Sequence, residues 1–413
     1  MVTAGAFDPF DAAQAQNSWG LLAELRAEGP VADIASEMKY VTRHGECREV
    51  LRDAGSFSNA SGLKAPGVVI APEDRLLGEL DPPRHTLVRR VMVTALTPSV
   101  VRGAEGFMEQ TAAALLDALP APGAADLVTG FTVALPNRVT VHLLGLPADD
   151  ADQLAAWAKE LMESGFPATN RSHRGEGFAA AFPDFAGYID ARIDDRTAEL
   201  GLGERKEGVL TRLLELDVEG EKLPRRQVRA LVRNLITGGL TTTSQLLGNL
   251  IHQLLTSPEL EARVRADLAA GPSGTSGTSD ALGRAIDESL RLRPPVLFVA
   301  RGCATDTTVG GCPIEAGRRL IIGTASANRD ERVFSDADVF DVDRDNADQH
   351  LTFGYGPHVC PGATLARTEA RIGMTALLSR FPPGTIRLAP DYVYENVSTF
   401  FECGPRRLPV LLG

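Results

Sequence analysis

Residues 351–362, LTFGYGPHVCPG, set a single cysteine, Cys360, behind Gly354 and Gly356 and ahead of Gly362, with Phe353 and His358 close by. A run of helical character, ATLARTEARIGMTALLSRF, follows at once. Glycine permits backbone conformations and close approaches that a Cβ would prevent. A helix N-terminus presents unpaired N–H groups and partial positive charge, which favour a thiolate. Together the glycines and the helix start can bring amide N–H groups to the Cys360 sulfur. One anionic sulfur held in this way suits one axial position of a haem iron, where it pushes electron density toward O–O cleavage. Two rival chemistries fit less well. A phosphate-binding loop would carry Lys-Ser/Thr after its glycines, and none is present. A nucleophilic cysteine would need a base, and His358 could serve, but it has no evident partner of its own.

A flat cofactor above Cys360 needs a second wall, and one stretch of the chain is built to offer it. Residues 225–255 carry the strongest helical periodicity, with Val228, Leu231, Val232, Leu235 and Ile236 leading in and Leu246, Leu247, Leu250, Ile251, Leu254 and Leu255 leading out. Pro224 stands just before the start, where a missing N–H costs nothing. The predicted helix is roughly 46 Å long at 1.5 Å per residue, enough to cross the molecule. Its middle reads Thr237-Gly238-Gly239-Leu240-Thr241-Thr242-Thr243-Ser244, a poor choice for a helix interior, since each glycine costs about 1 kcal/mol against alanine. Threonine hydroxyls can bond back to i−4 carbonyls, which loosens the ladder and leaves room for water. Two readings stand side by side: a flat molecule lies against the glycines, or another helix packs closely on small residues.

The remaining elements are read more coarsely. AAQAQNSWGLLAELRAEG, VRGAEGFMEQTAAALLDALPAPG and DDADQLAAWAKELMESG have apolar residues at helical spacing, while VADIA, KYVTRH, RLIIG and RRLPVLL are short strand-like runs. The chain is therefore mainly helical with small sheets, and a doubly wound parallel sheet is not expected. The stretch 269–283, AAGPSGTSGTSDALG, has linker composition and reads as an exposed loop between two helices. No internal repeat is present.

Composition narrows the function. With 413 residues and 44% hydrophobic residues the chain can bury a large core. A net charge of −12 argues against a nucleic-acid groove, which wants a basic footprint. The N-terminus, MVTAGAFDPFDAAQAQ, has no apolar core of a signal peptide, and no window approaches a membrane span, so a cytoplasmic protein is expected. Cys47, Cys303, Cys312, Cys360 and Cys403 form no CxxC pair and no zinc-type spacing. The four other than Cys360 read as small buried apolar side chains.

Four motifs now stand in order along the chain: Asp81-Pro82-Pro83-Arg84-His85-x-x-x-Arg89, the GGLTTT helix, Glu288-Ser289-Leu290-Arg291, and Phe353-Gly354-x-Gly356-x-His358-x-Cys360-x-Gly362. On these the chain resembles the cytochromes P450, haem-thiolate monooxygenases of the bacterial kind, from about residue 8 to its C-terminus. The resemblance implies a mainly α fold with small β-sheets, triangular in outline, with the long helix lying over haem b. It implies one domain over 1–413, with a helix-rich core and a small N-terminal β-rich lobe, and Cys360 as the iron ligand. His85, Arg89, Arg301 and His358 would hold the propionates, a task that suits arginine through bidentate bonding. Phe353 and Gly239 complete the implied cofactor-binding set. Glu288 and Arg291 share a helix face at i, i+3. By themselves they read as a surface ion pair; the resemblance makes them a buried structural clamp, joined by a residue of the loop before Cys360.

Thr242 matches the threonine with which the family handles oxygen and delivers protons. The residue before it is usually an acid, and here it is Thr241. A carboxyl changes its charge state when it passes a proton, whereas a hydroxyl only hands one along. Proton supply is then expected to run through Thr241, Thr242 and water, or to draw on the substrate. The departure raises an atypical oxidation as an alternative: ring coupling, nitration or a peroxide-driven reaction. Against the peroxide route, the helix lacks the Arg-Pro pair of peroxygenases that the chain would then resemble. A haem protein that senses without turnover would not need both sets of motifs.

In the family's layout the segment 55–80 covers the haem as a mobile lid, and Leu240, Leu297, Val299 and Phe400 face an apolar substrate. Asn234 is either a polar substrate contact or an amide satisfied within the bundle. The expected substrate is a compact lipophilic molecule, such as a terpenoid, an aromatic compound or a natural-product intermediate. With no reductase domain fused, electrons from NAD(P)H would arrive through a separate ferredoxin and its reductase, steered by a basic patch of Arg89, Arg90, Arg367 and Arg371.

Overall fold

The predicted central helix is present as one unbroken element, Arg225–Thr256, of 32 residues. It belongs to a computed structural model that describes the chain apart from residues 1–6, 12, 15–18, 35–37, 61, 63–69, 166–176, 219, 271–279, 398 and 400. The helix passes through two separate apolar clusters. Its first half contributes Val228, Leu231, Val232, Ile236 and Leu240 to one, and its second half contributes Leu246, Leu247, Leu250, Ile251 and Leu254 to the other. Each such leucine or isoleucine, withdrawn from water, stabilises the fold by about 1.5–3 kcal/mol. The soft stretch 237–244 spans the junction of the two clusters, and Leu240 alone of its residues joins either.

Around it pack Ala134–Leu144, Ala151–Gly165, Ala281–Leu292 and Ala363–Arg380, and Pro98–Asp117 packs in turn on Ala134–Leu144 and Ala363–Arg380. Trp19–Glu28 matches a further predicted helix. The loop predicted at 269–283 falls largely on 271–279, outside the described residues; the helices beside it end at Ala270 and begin at Ala281.

All four strand-like runs form strands. Val31–Ile34, Met38–Val41, Arg319–Ile322, Val299–Cys303 and Phe57–Ser58 lie in that order in one sheet, antiparallel except where Arg319–Ile322 runs parallel to Met38–Val41. The β lobe is therefore assembled from both ends of the sequence rather than from the N-terminus alone. A second sheet orders Ile386–Leu388, Pro409–Leu412 and Gly123–Asp126, all antiparallel. Among the described residues, no helix is long and apolar enough to cross a membrane.

One buried polar node ties the helical part to the loop before Cys360. Glu288 and Arg291, both 0 % exposed, bond through Nε to Oε2 at 2.7 Å and Nη2 to Oε1 at 2.8 Å. Arg344 Nε also donates to Glu288 Oε1 at 3.1 Å, and it is the joining residue that the sequence left unnamed. Arg291 further donates to the carbonyls of Asn328, Ala337 and Val339. The surface-pair reading of Glu288 and Arg291 is thus set aside.

Candidate functional site

The cysteine loop and the softened helix face each other across a cavity of about 350 Å³. Cys360, Pro361 and Gly362 form one wall, and Gly238, Gly239, Thr242 and Thr243 the other. Phe353, Val299, Arg301 and Asn234 lie on its sides. Cys360 is solvent-accessible only in the sense that its sulfur opens onto this cavity; protein surrounds it elsewhere. Two glycines hold the loop that carries it. Gly354 and Gly356 sit at φ +74° and +72°, and a Cβ on Gly356 would stand 2.9 Å from Arg52 Cα and from Leu51 O. The Cys360 amide closes the loop by donating to Phe353 O at 2.7 Å.

The helix that follows, Ala363–Arg380, starts where predicted, but its effect on the sulfur is outweighed. Burial pushes the Cys360 thiol up, against the lowering effects of the Gly362 amide, Arg89 and Arg367. Burial thus favours the neutral thiol here, and a bound cation would favour the thiolate instead. Metal binding does so readily, because its free energy is linked to ligand deprotonation.

The cationic residues converge as expected. The His85 and His358 rings stack with centroids 3.7 Å apart. His85 Nε2 and both ring nitrogens of His358 are buried without a hydrogen-bond partner. Desolvation, together with His85, Arg301 and Arg89, lowers His358 to about 3. Burial lowers Arg301 to about 10 and also lowers Arg89. Burial disfavours the charged form of each group, and Asp81, the anion that acts on His85 and Arg301, offsets this only in part. Carboxylates of a bound porphyrin supply what these orphaned donors need, and the residues present therefore fit haem.

The two glycines of the central helix divide their work. A Cβ on Gly239 would stand 2.8 Å from Thr140 Oγ1, whereas one on Gly238 would meet only Asn234 Nδ2 at 3.7 Å. Gly239 is thus required for helix packing, and the more open glycine wall is Gly238. The close-packing reading holds at Gly239, and both glycines line the cavity. The threonines bond back as predicted: Thr237 Oγ1 donates to Arg233 O at 3.0 Å and Thr242 Oγ1 to Gly238 O at 2.9 Å. Thr242 therefore points lone pairs, not its proton, into the cavity. Thr241 does not lie idle. Its Oγ1 donates to Glu402 Oε1 at 2.8 Å.

Several predicted pocket residues are placed elsewhere. Leu240 and Leu297, each 5 % exposed, pack into apolar clusters instead of lining the cavity. Leu240 lies about 200° around the helix from Thr242, so both cannot face the same space. Phe400 lies outside the described residues. Val299 does line the cavity. Asn234 reaches it too, but its Oδ1 accepts from the Leu77 amide at 3.0 Å. That bond belongs to the predicted lid. Residues 61 and 63–69 of it lie outside the described residues, and its later part is tied down: Arg226 and Arg229 pair with Asp74, and Arg233 donates to Asp74 O. The predicted basic patch is also altered. Arg367 and Arg371 are matched by Asp287 and Asp280, while Arg48 and Arg52 instead converge on the Tyr355 hydroxyl of the cysteine loop.

Comparison with known proteins points one way. The family model described as Cytochrome P450 matches residues 35–387. The erythromycin C-12 hydroxylase of Saccharopolyspora erythraea is 30% identical over 95% of this chain and 94% of its own. The vitamin D(3) 25-hydroxylase of Pseudonocardia autotrophica is 30% identical over 96% and 94%. The solved structure of cytochrome P450 CYP109Q5 from Chondromyces apiculatus superposes with a TM-score of 0.83 at 28% identity, covering 99% of both chains.

Proposed function

The chain belongs to the cytochrome P450 family, and on that premise we propose that it inserts oxygen into a lipophilic natural-product-like substrate, with Cys360 as its iron ligand. As a P450 monooxygenase it uses haem b held by a cysteine thiolate, O2 and a redox partner. When bound, the haem supplies the redox chemistry of oxygen activation. The chain supplies the rest. Cys360 opens onto the cavity opposite Thr242, and this facing pair is the observation that carries the reading. His85, His358, Arg89 and Arg301 receive the propionates. Thr242, with its own proton engaged on Gly238 O, accepts a hydrogen bond from within the cavity and orients what donates it.

Val296 and Val299 give the cavity an apolar flank, and the relatives named for erythromycin and vitamin D(3) oxidation support a large lipophilic substrate. Electrons come from a separate ferredoxin-type protein. Arg48 and Arg52, beside the cysteine loop, support docking of an acidic partner there better than Arg367 and Arg371 do. The atypical oxidations lose their motive, since Thr241 has a carboxylate beside it.

A Soret titration of the ferric protein against a panel of lipophilic compounds, from small terpenoids to macrolides and sterols, tests the substrate class. A low-to-high-spin shift with one chemotype is expected; no shift with any apolar compound would overturn the assignment. Thr242→Ala is expected to lower product formed per NAD(P)H consumed by roughly tenfold, less than loss of a full acid–base group, because a hydroxyl only relays. Unchanged coupling would remove Thr242 from this role.

A further inference from the structure

The acid missing from the central helix is supplied from the far end of the chain: we propose that Glu402 passes protons to the cavity through the hydroxyl of Thr241. This rests on the monooxygenase reading above.

Glu402 is 3 % exposed, and both of its carboxylate oxygens are met by hydroxyls. Thr241 Oγ1 donates to Oε1 at 2.8 Å and Thr399 Oγ1 to Oε2 at 3.1 Å. A carboxylate set between hydroxyls can exchange protons with both.

Its position is built rather than incidental. The segment around Glu402 pairs with the cavity wall: Val296 bridges Glu402, the Leu297 amide donates to Phe401 O at 2.8 Å, and the Cys403 amide donates to Pro295 O at 3.0 Å. Pro295 and Val296 themselves line the cavity. The same segment presses on one face of the central helix. Thr241, Gln245 and Gly248 stand at i, i+4 and i+7 and meet Glu402, Gly404 and Pro405 in turn. A Cβ on Gly404 would stand 2.4 Å from Gln245 Cγ, and one on Gly248 would stand 2.7 Å from Pro405 Cγ. Asn249 Nδ2 fixes the register by donating to Cys403 O at 3.0 Å. Two glycines thus allow the approach that delivers the carboxylate to Thr241. A short side chain at residue 241 leaves room for it, and an acid there would face a like charge.

The proton ledger closes. Solvent first protonates the Glu402 carboxylate by way of Thr399, which is half-buried. The Thr241 hydroxyl, which donates to Oε1 in the resting arrangement, then turns and accepts the Glu402 proton on Oγ. As it does so, its own proton passes to water beside Thr242, the neighbouring residue that lines the cavity. One proton enters, one leaves, and each residue returns to its starting state.

The test uses the haem-loaded protein with NADPH and a surrogate ferredoxin and reductase, reading O2 consumption in H2O and D2O. Glu402→Gln keeps the shape and is expected to retain the thiolate-type Soret band of the reduced CO complex. Its rate should fall on the order of a hundredfold, with a larger solvent isotope effect. Thr241→Asp in the Glu402→Gln background should restore the rate, because the acid is returned to the helix; a purely structural pin would not be rescued. In the unloaded protein, the infrared carboxylate band lost in Glu402→Gln should shift in Thr241→Val, reporting the hydrogen bond without turnover. An unchanged rate in Glu402→Gln, or no rescue by the double variant, overturns the proposal. If Glu402→Gln does not load haem, Thr241→Val decides in the same assay: a slowed rate supports the relay and an unchanged one overturns it. A wild-type protein without the thiolate band would overturn the haem-thiolate reading and this proposal with it; a normal band with an indifferent Glu402→Gln overturns the relay alone.

Discussion

Cys360→Ala, expressed with haem supplied, shows no thiolate-type Soret band in its reduced CO complex, and NAD(P)H-driven oxygen insertion falls to background. The loss is complete because nothing nearby can substitute. Cys47, Cys303 and Cys403 are buried away from the cavity, and Cys312 sits in a hairpin between Thr307–Val309 and Cys312–Ile314. His358 is two residues from Cys360, but it stacks on His85 and belongs to the cationic cluster. A histidine that did reach the iron would give a band of a different position. The variant keeps His85, His358, Arg89 and Arg301 for the haem carboxylates, which keeps the experiment informative. A variant that binds haem without the thiolate band confirms the ligand, whereas a retained thiolate band moves the ligand elsewhere.

Arg291→Ala yields little or no soluble haem-loaded protein. This side chain makes two bonds to Glu288 and three to the carbonyls of Asn328, Ala337 and Val339, all in a place that water does not reach. Truncation leaves the Asn328 and Ala337 carbonyls without this donor, Val339 O with Arg344 alone, and Glu288 with Arg344 and the Asp341 amide. Breaking a buried pair in this way costs about 3–5 kcal/mol. Folded domains are stable by only about 5–15 kcal/mol, so one substitution removes a large share. The cost also falls on the segment that carries Arg344 toward the cysteine loop, which couples this node to haem retention. Glu288→Gln, which keeps the volume and loses the charge, should be the milder of the two. Denaturant unfolding of the loaded proteins checks the order, and an Arg291→Ala protein of wild-type stability would return the pair to a minor role.

The central helix was legible to within a residue at each end because its period is long and uninterrupted, and the cysteine loop because its glycines are dictated by positive φ and a close approach. What escaped was contact between distant segments. Periodicity shows which residues share a helix face, not what lies against that face. The family's layout put Leu240 and Leu297 toward the substrate, yet both pack into apolar clusters beside the cavity. Arg344 lies in a loop with no period, so only the shape of the fold brings it to Glu288. Thr241 read as an acid lost, because its partner stands 161 residues further along the chain. The two glycines that admit this partner, Gly248 and Gly404, were visible in the sequence, but a small residue alone does not say what it makes room for.

The unmet polar groups at His85, His358, Arg89 and Arg301 have a consequence for stability as well as for binding. The buried ring nitrogens there have no hydrogen-bond partner, and burial disfavours the charge of both arginines. A bound haem would bring carboxylates to these same groups, so loading is expected to raise the midpoint of unfolding, and less so in Arg301→Ala.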